Sequence, residues 1–458
     1  VKRRQRERTL LLTGWGRTAP TAARVVRPRT AEQVAEALAA AGPRGAIARG
    51  LGRSYGDAAQ AAGGLVLDCT GLTGPIRLDT ERGEVTAPAG TSTGRLIDHL
   101  LERGWFVPVT PGTRHVTLGG AIAADVHGKN HHADSSLGAH LRSLTVAVPA
   151  GGVRRVGPDG DGADLFWATV GGMGLTGVVT EATLSVLPVE TAHMKVDTDR
   201  TASLERSLEL MSADSGHPYS VCWVDLLAKG AAMGRGVLTR AHHARVADLP
   251  PPLRRAPLRH RAAALPAAPP EMPFGLLNRW SVGAFNTAYF SAAPRRRRSE
   301  VRPAASFFHP LDAVRNWNRL YGPRGLVQYQ FVLPLGAEDT LAAVMEGLSR
   351  AGAPSFLAVL KRMGESVPAP LSFPRPGWTL AVDLPAGLPG LGPLLRGFDE
   401  MLLAAGGRLY LAKDSRTDAA TVRAMYPELP AWQRVRERVD PDGVLVSDLA
   451  RRLELVRP

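Results

Sequence analysis

The stretch that most constrains this chain is residues 49–57, Arg-Gly-Leu-Gly-Arg-Ser-Tyr-Gly-Asp, set between two apolar runs, Gly45-Ala46-Ile47-Ala48 and Gly64-Leu65-Val66-Leu67-Asp68. Both runs read as strands. Gly50, Gly52 and Gly56 can each take positive φ at little cost, so successive backbone N–H groups can converge into a concave anion site. A dinucleotide fingerprint must open a helix, and residues 58–63 leave no room for one. The expectation is a phosphate-holding loop that works without the Rossmann helix; the plain alternative is a tight strand connection.

Around this loop the chain reads as alternating helix and strand. Thr30 and Gln33 bracket a helix start, with Val34, Leu38 and Ala41 at helical spacing before Gly42-Pro43. A strand at 84–87, a helix at 91–103 ending at Gly104, and a buried strand at 105–109 follow. They lead to a second glycine loop, residues 111–120, and then to Val126-His127-Gly128-Lys129-Asn130-His131-His132. These histidines lack the carboxylate partners and spacing of a metal site, so no metal is expected; they read as loop caps or as cofactor contacts. A hairpin turning at Gly151-Gly152, a short helix from Asp164 and a third glycine loop at 171–177 precede a strand at 178–186.

Bulk properties bound the function. A chain of 458 residues with 44% hydrophobic and 21% charged residues is of ordinary globular composition and long enough for two or three domains. Two cysteines, Cys69 and Cys222, build neither a disulfide framework nor a Cys-rich zinc site. No apolar run suits a spanning helix and no signal peptide is evident. The net charge of +14 favours anionic partners, with basic runs at 2–8 and 295–298. Proline-rich residues 249–273 are expected to be irregular. Residues 274–298, with Trp280, Phe285, Tyr289 and Phe290 beside the arginine run and no long periodic helix, read either as a flap on anionic lipid or as a partly buried loop. Near the C-terminus a strand at 406–410 enters Lys413-Asp414-Ser415-Arg416. Lys413 is a candidate for proton transfer, although the residues alone favour an ordinary surface pair with Asp414.

The three glycine loops together resemble the vanillyl-alcohol-oxidase type of FAD-binding fold. Longer strings narrow the resemblance: Ala-Arg-Gly-Leu-Gly-Arg-Ser-Tyr-Gly-Asp, His-Gly-Lys-Asn-His-His, Phe-Trp-Ala-Thr-Val-Gly-Gly, Leu-Ser-Phe-Pro and Ala-Lys-Asp-Ser-Arg-Thr. Across nearly the whole chain they are similar to the decaprenylphosphoryl-β-D-ribose 2-oxidase family of actinobacteria. The resemblance implies an α+β, two-domain fold: an FAD-binding domain from residues 1–190 plus 407–458, with a substrate domain, 191–406, inserted on an antiparallel sheet. It implies a flavoprotein oxidoreductase with non-covalent FAD that oxidises the ribose C2 hydroxyl of decaprenylphosphoryl-β-D-ribofuranose to the 2-keto sugar. A partner NAD-dependent reductase would complete epimerisation to the arabinose donor of cell-wall arabinan.

The resemblance also assigns residues. Arg49, Gly50, Leu51, Gly52, Arg53, Ser54, Tyr55, Gly56 and Asp57, with Thr117, Leu118, Gly119 and Gly120, would hold the FAD pyrophosphate. Gly112, Ala124, Asp125, His127, Val179 and Tyr410 complete the cofactor contacts. Lys413, His127 and Tyr55 are the catalytic candidates, Lys413 as base or as the cation orienting the hydroxyl. Lys129, Tyr321, Gln328, Gln330, Lys361, Thr379 and Lys413 would contact substrate, and segments near 250–300 and 315–323 would gate its entry. Peripheral membrane contact at the cell envelope is expected, on either face. The chain departs from many relatives by having Ala381 where they carry a cysteine and Thr379 where asparagine is common. Rival readings are an oxygen-using sugar or alditol oxidase on the same fold, a catalytically silent relative, and a basic nucleic-acid-binding protein. The last has no zinc, helix-turn-helix or RNP signature behind it, and no nucleic-acid partner is expected.

Overall fold

The computed structural model describes residues 7–260, 267–268 and 277–456. Of the N-terminal basic run only Glu7 and Arg8 fall within these, and Pro266, Pro269, Pro270 and Pro273 lie outside them. Three sheets carry the architecture. Strands Thr21–Val26, Leu65–Asp68 and Ala46–Arg49 pair in parallel, with Arg8–Leu12 antiparallel at one edge. Helix Ala31–Ala39 begins where expected because the Thr30 hydroxyl accepts from Gln33 N at 3.3 Å, and it buries Val34 and Leu38. Residues 57–63 form no helix, so the glycine loop passes from strand to strand directly.

A second sheet is antiparallel, in the order Arg77–Asp79, Glu84–Pro88, Val178–Ser185, Leu141–Val148, Gly152–Val156. Its last two strands form the expected hairpin, with Gly151 and Gly152 at φ 119 and 69.

The third sheet is antiparallel throughout and has eight strands among the described residues. Its order is Arg296–Pro303, His193–Thr201, Gly236–His243, Tyr219–Val224, Ala358–Met363, Gly377–Pro385, Leu326–Leu333, Arg408–Leu409. Successive side chains on a strand point to opposite faces. One face presents Cys222, Leu238, Leu360, Leu380, Val382 and Phe331 to a core shared with helices Glu338–Arg350 and Leu391–Ala404, which contribute Leu341, Val344, Leu348, Leu395 and Leu402. The other face therefore carries Val221, Trp223, Val237, Thr239, Val359, Lys361, Ala381, Gln328 and Gln330, and it floors a cavity.

Four expectations are corrected. The strand at 105–109 is only Trp105–Phe106, since Pro108 has no N–H to continue a ladder, although Val107 and Val109 are buried. Within the second glycine loop, Leu118–Ala123 is helical because Thr117 caps it, its hydroxyl accepting from Gly120 N. Among its described residues the proline-rich interval contains a helical turn, Pro251–Arg254, whose prolines sit in the first turn where their missing N–H costs nothing. Residues 274–298 are not helix-free. Asn278 caps a helix, Arg279–Ala292, by accepting from Trp280 N and Ser281 N, and the arginine run enters the edge strand Arg296–Pro303.

The C-terminal residues return to the first sheet. Leu445 bridges Ala46 in parallel, and helix Asp448–Arg452 brings Arg452 to two acids. Its guanidinium donates to Asp57 at 2.8 and 3.0 Å and to Asp414 at 2.8 Å, and to Thr417 O at 2.7 Å. One side chain thus ties the glycine loop to the turn that carries Lys413. Arg452→Ala leaves two largely buried carboxylates facing each other and should cost about 2–3 kcal/mol, read as a lower midpoint in urea unfolding.

Candidate active site

A cavity of about 880 Å³ lies over the polar and apolar face of the large sheet and reaches back between the first two sheets. The wall at that deep end is made of small residues: Ala48, Gly50, Gly52, Ala58, Ala89, Gly119, Gly120, Ala123, Ala124, Gly174 and Gly177. Several have no room for more. A Cβ on Gly50 would lie 2.1 Å from Thr117 Oγ1, and Gly52 sits at φ 64, where a side chain is strained.

The glycine loop has unused donors. Among the described residues the N–H groups of Leu51, Gly52, Arg53 and Ser54 find no intramolecular acceptor. The loop's own framework is held separately: Arg49 donates to Thr13 O at 2.7 Å and Ala59 O at 3.1 Å, and Tyr55 N donates to Ala412 O at 3.1 Å. Free amides along a side-chain-poor cleft, with Arg53 also on the wall, suit an extended diphosphate-bearing cofactor. The second loop differs. Leu118 N donates to Thr91 O, Gly119 N to Ala89 O and Gly120 N to Thr117 Oγ1, so these glycines allow close approach but offer no free N–H.

Ahead of this cleft the side chains become chemical. Lys413 Nζ stands 4.2 Å over the Tyr55 ring, and Lys129 Nζ 4.3 Å over the Phe307 ring while donating to Phe307 O. Lys361 Nζ is 3.5 Å from Gly128 O. All three lysines are half-buried and line the cavity. Burial, and then repulsion from Lys361, brings Lys129 down to about 7; burial and Lys413 bring Lys361 to about 7. Burial lowers Lys413 to about 8 against the pull of Asp383. His127 Nε2 lies 3.0 Å from Gln330 Nε2; with that amide donating, the ring proton sits on Nδ1, which is buried without a partner. Burial and the charges of Lys361, His131 and Lys413 hold His127 neutral. Tyr410 anchors this wall by donating to Ala124 O at 2.7 Å and stacking on Phe373 at 4.6 Å.

The cavity gathers Arg49 to Tyr55, Gly112, Thr117, Gly119, Gly120, Ala124, His127, Val179 and Tyr410 from the expected cofactor set. It also gathers Lys129, Gln328, Gln330, Lys361 and Lys413. Six expected residues stand behind its surface. Gly56 packs on the backbone of Asp414, and Asp57 is engaged by Arg452. Leu118 is core. Asp125, at φ 39, accepts from Ser136 Oγ, Gly138 N and Ser372 Oγ. Thr379 lies beneath Gln330, 3.3 Å from its amide, and Tyr321 is buried beside Tyr55, Trp317 and Leu326. His131 accepts from Gly364 N and His132 lies against His217 O, so two of the three clustered histidines are loop ties. Lys413 and Asp414 are not a surface pair, because Asp414 is taken by Arg452.

Sequence reasoning missed Asp383, fully buried under Gln328, whose amide donates to it; burial raises its carboxyl to about 7. Its signal was alternation in strand Gly377–Pro385, which puts Thr379, Ala381 and Asp383 on the cavity face. Also missed were Trp223 and Phe356 on the cavity wall, where Trp317 of the segment expected at the substrate entry also stands. Among the described residues no cluster of three or more His, Cys, Asp or Glu is placed to hold a metal.

Residues 22–157 match the model of an FAD binding domain, and residues 389–453 that of D-arabinono-1,4-lactone oxidase. The chain is 44% identical to decaprenylphosphoryl-β-D-ribose oxidase of Mycolicibacterium smegmatis over 98% of both chains. It is 42% identical to an uncharacterised protein of Streptomyces coelicolor over 79% of this chain and 99% of that one. With an alditol oxidase of a Streptomyces species it shares 25% identity over 96% of this chain and 98% of the other. Fold, cleft and these matches define an FAD-dependent oxidoreductase of mixed α and β structure. The chain belongs to the decaprenylphosphoryl-β-D-ribose oxidase family.

Two measurements test the site as built. The folded lysines titrate below their ordinary value of 10.5. Between about pH 7 and that value the unfolded chain holds more protons, so stability of the cofactor-free protein rises with pH there. A Lys129→Met/Lys361→Met variant should flatten that rise in urea titrations from pH 6.5 to 9.5. Ala381 lines the cavity but cannot attack an electrophile. Inhibitors that bond covalently to a thiol at this position should leave no mass adduct on the wild type, and should add to Ala381→Cys in intact-protein mass spectrometry.

Proposed function

We infer that this chain oxidises the C2 hydroxyl of a polyprenyl-phosphoryl β-D-ribofuranose, decaprenylphosphoryl ribose being the substrate type, to the 2-keto sugar. The observation that carries the reading is the group of three desolvated lysines at the mouth of the side-chain-poor cleft, in a member of this family. Residues 51–54, Arg53, Val179 and His127 would hold FAD non-covalently, with residues 1–190 and 407–458 building its domain and 191–406 the substrate domain. Bound FAD supplies the two-electron acceptor for the hydrogen leaving C2. Lys413, lowered toward neutrality by burial, takes the hydroxyl proton in its amine form. Tyr55 fixes the lysine from below, and Gln328 and Gln330 offer amides to the sugar. Lys129 and Lys361 meet the phosphoryl charge, which restores their own protonation.

The wider role follows from the product: a 2-keto sugar needs a hydride-donating reductase to complete epimerisation to the arabinose donor for cell-wall arabinan. Among the described residues no helix is long and apolar enough to cross a membrane. The polyprenyl substrate, the exposed arginines of strand Arg296–Pro303 and Trp280 support peripheral contact with an anionic membrane.

Anaerobic absorbance spectra test the reading. Short-chain prenyl-phosphoryl ribose should bleach the oxidised flavin bands of the wild type, and Lys413→Ala should slow bleaching about 100-fold or more. Bleaching by alditols and not by the lipid sugar would move the assignment to the alditol oxidases.

A further inference from the structure

The cavity floor changes character across the sheet. At its deep end it is polar, with Gln328, Gln330 and Lys361. Beyond Lys361 it becomes apolar along one row of paired residues: Val359 opposite Trp223, Trp223 opposite Val237, and Val221 beside them opposite Thr239. A roof covers this row. Helix Arg279–Ala292 lays Phe285 and Tyr289 on the cavity, Tyr289 meeting Trp223 edge-on at 4.7 Å and Phe285 meeting Phe356 at 6.1 Å.

The roof is pinned in place. Asn286, fully buried, donates to Asp225 Oδ1 at 2.8 Å and to Ser355 O at 3.4 Å, and Val282 packs inward. Yet Phe285 and Tyr289, which line the cavity, are 47% and 45% exposed, so the groove opens to the surface beneath them, and Trp280 nearer the start of the helix is 74% exposed. An apolar groove that is closed at one end by desolvated cations and open at the other fits an amphiphile with one anionic head and a hydrocarbon tail.

We propose that the groove running along the Val359–Trp223–Val237 row, past the Trp223–Tyr289 contact and under helix Arg279–Ala292, binds the first isoprene units of the lipid substrate. The proposal rests on the functional reading above and assigns the tail a site. The head at Lys361 and Lys129 sets the register. From Val359 to Val237 is two interstrand steps, about 10 Å, room for about two isoprene units at ordinary carbon–carbon bond lengths. Further units pass the exposed aromatics and leave the protein. A bound tail is therefore felt through two units and hardly beyond.

The test uses the FAD-loaded full chain, titrated with prenyl monophosphates of one to four isoprene units below their micelle concentrations. Inorganic phosphate serves as the tail-less probe. Binding is followed by tryptophan emission, with Trp223→Phe identifying the reporter. Kd should fall about tenfold to a hundredfold from one unit to two and by less than about threefold for each unit after that. Thr239→Trp, which fills the floor, and Tyr289→Ala, which removes the roof from a surface helix, should each raise Kd for the three-unit phosphate about tenfold or more. Affinity independent of tail length, or still climbing steeply through four units, overturns the proposal, as does binding unaffected by both substitutions. The outcomes separate from those of the functional reading. If prenyl-phosphoryl riboses of all lengths bleach the flavin with equal KM, the groove fails and the activity stands; if none bleaches it, the activity itself falls.

Discussion

The site depends on a single cation, Arg452, held between two carboxylates that lie far apart in the chain. Asp57 ends the glycine loop and Asp414 follows Lys413, so the guanidinium sets the distance between the free amides of residues 51–54 and the lysine amine. Burial disfavours the arginine's charge, but the two acids more than offset this and keep it fully protonated. Tyr55 reinforces the junction twice, through its N–H to Ala412 O and through its ring beneath Lys413.

Against that fixed frame the large sheet supplies contrast. Its covered face is a core of aliphatic and aromatic residues under two helices, and its open face is graded from amides and a lysine to valines and a tryptophan. Desolvating three lysines, of which only Lys413 feels the pull of Asp383, is unfavourable for the empty protein, which is why their ammonium groups titrate low. An anionic ligand relieves that cost, so part of the protein's instability is converted into ligand affinity. Asp383 is placed to bias the amine of Lys413 without touching the cavity, since Gln328 lies over it.

Much of the fold could be read from local chemistry. The Thr30 cap, the Gly151-Gly152 turn and the absence of a helix after Asp57 follow from residue type and spacing, and each is found where expected. The second glycine loop misled because a short capped helix and an open nest share the same glycines; only the acceptors Thr91 O and Ala89 O decide that its amides are already used. Helix Arg279–Ala292 was missed because its apolar residues do not form a regular stripe. Its inward side is held by Asn286 reaching Asp225, a contact across 61 positions.

The sequence by itself determined the helix caps, several strands of the first two sheets, the first glycine loop and, through the family strings, the class of chemistry, because these depend on neighbours a few residues apart. The resemblance named most of the side chains that share the cavity, but the tertiary structure decided which of them reach its surface and which stand behind it. His127, Gln330, Lys361 and Lys413 come from four separate segments, and Thr379 and Asp383 fall behind the wall because glutamines from the adjacent strand cover them. Charge state belongs to the same level: a lysine's affinity for its proton depends on how much water and which charges surround it, and those are set by chain segments hundreds of residues away.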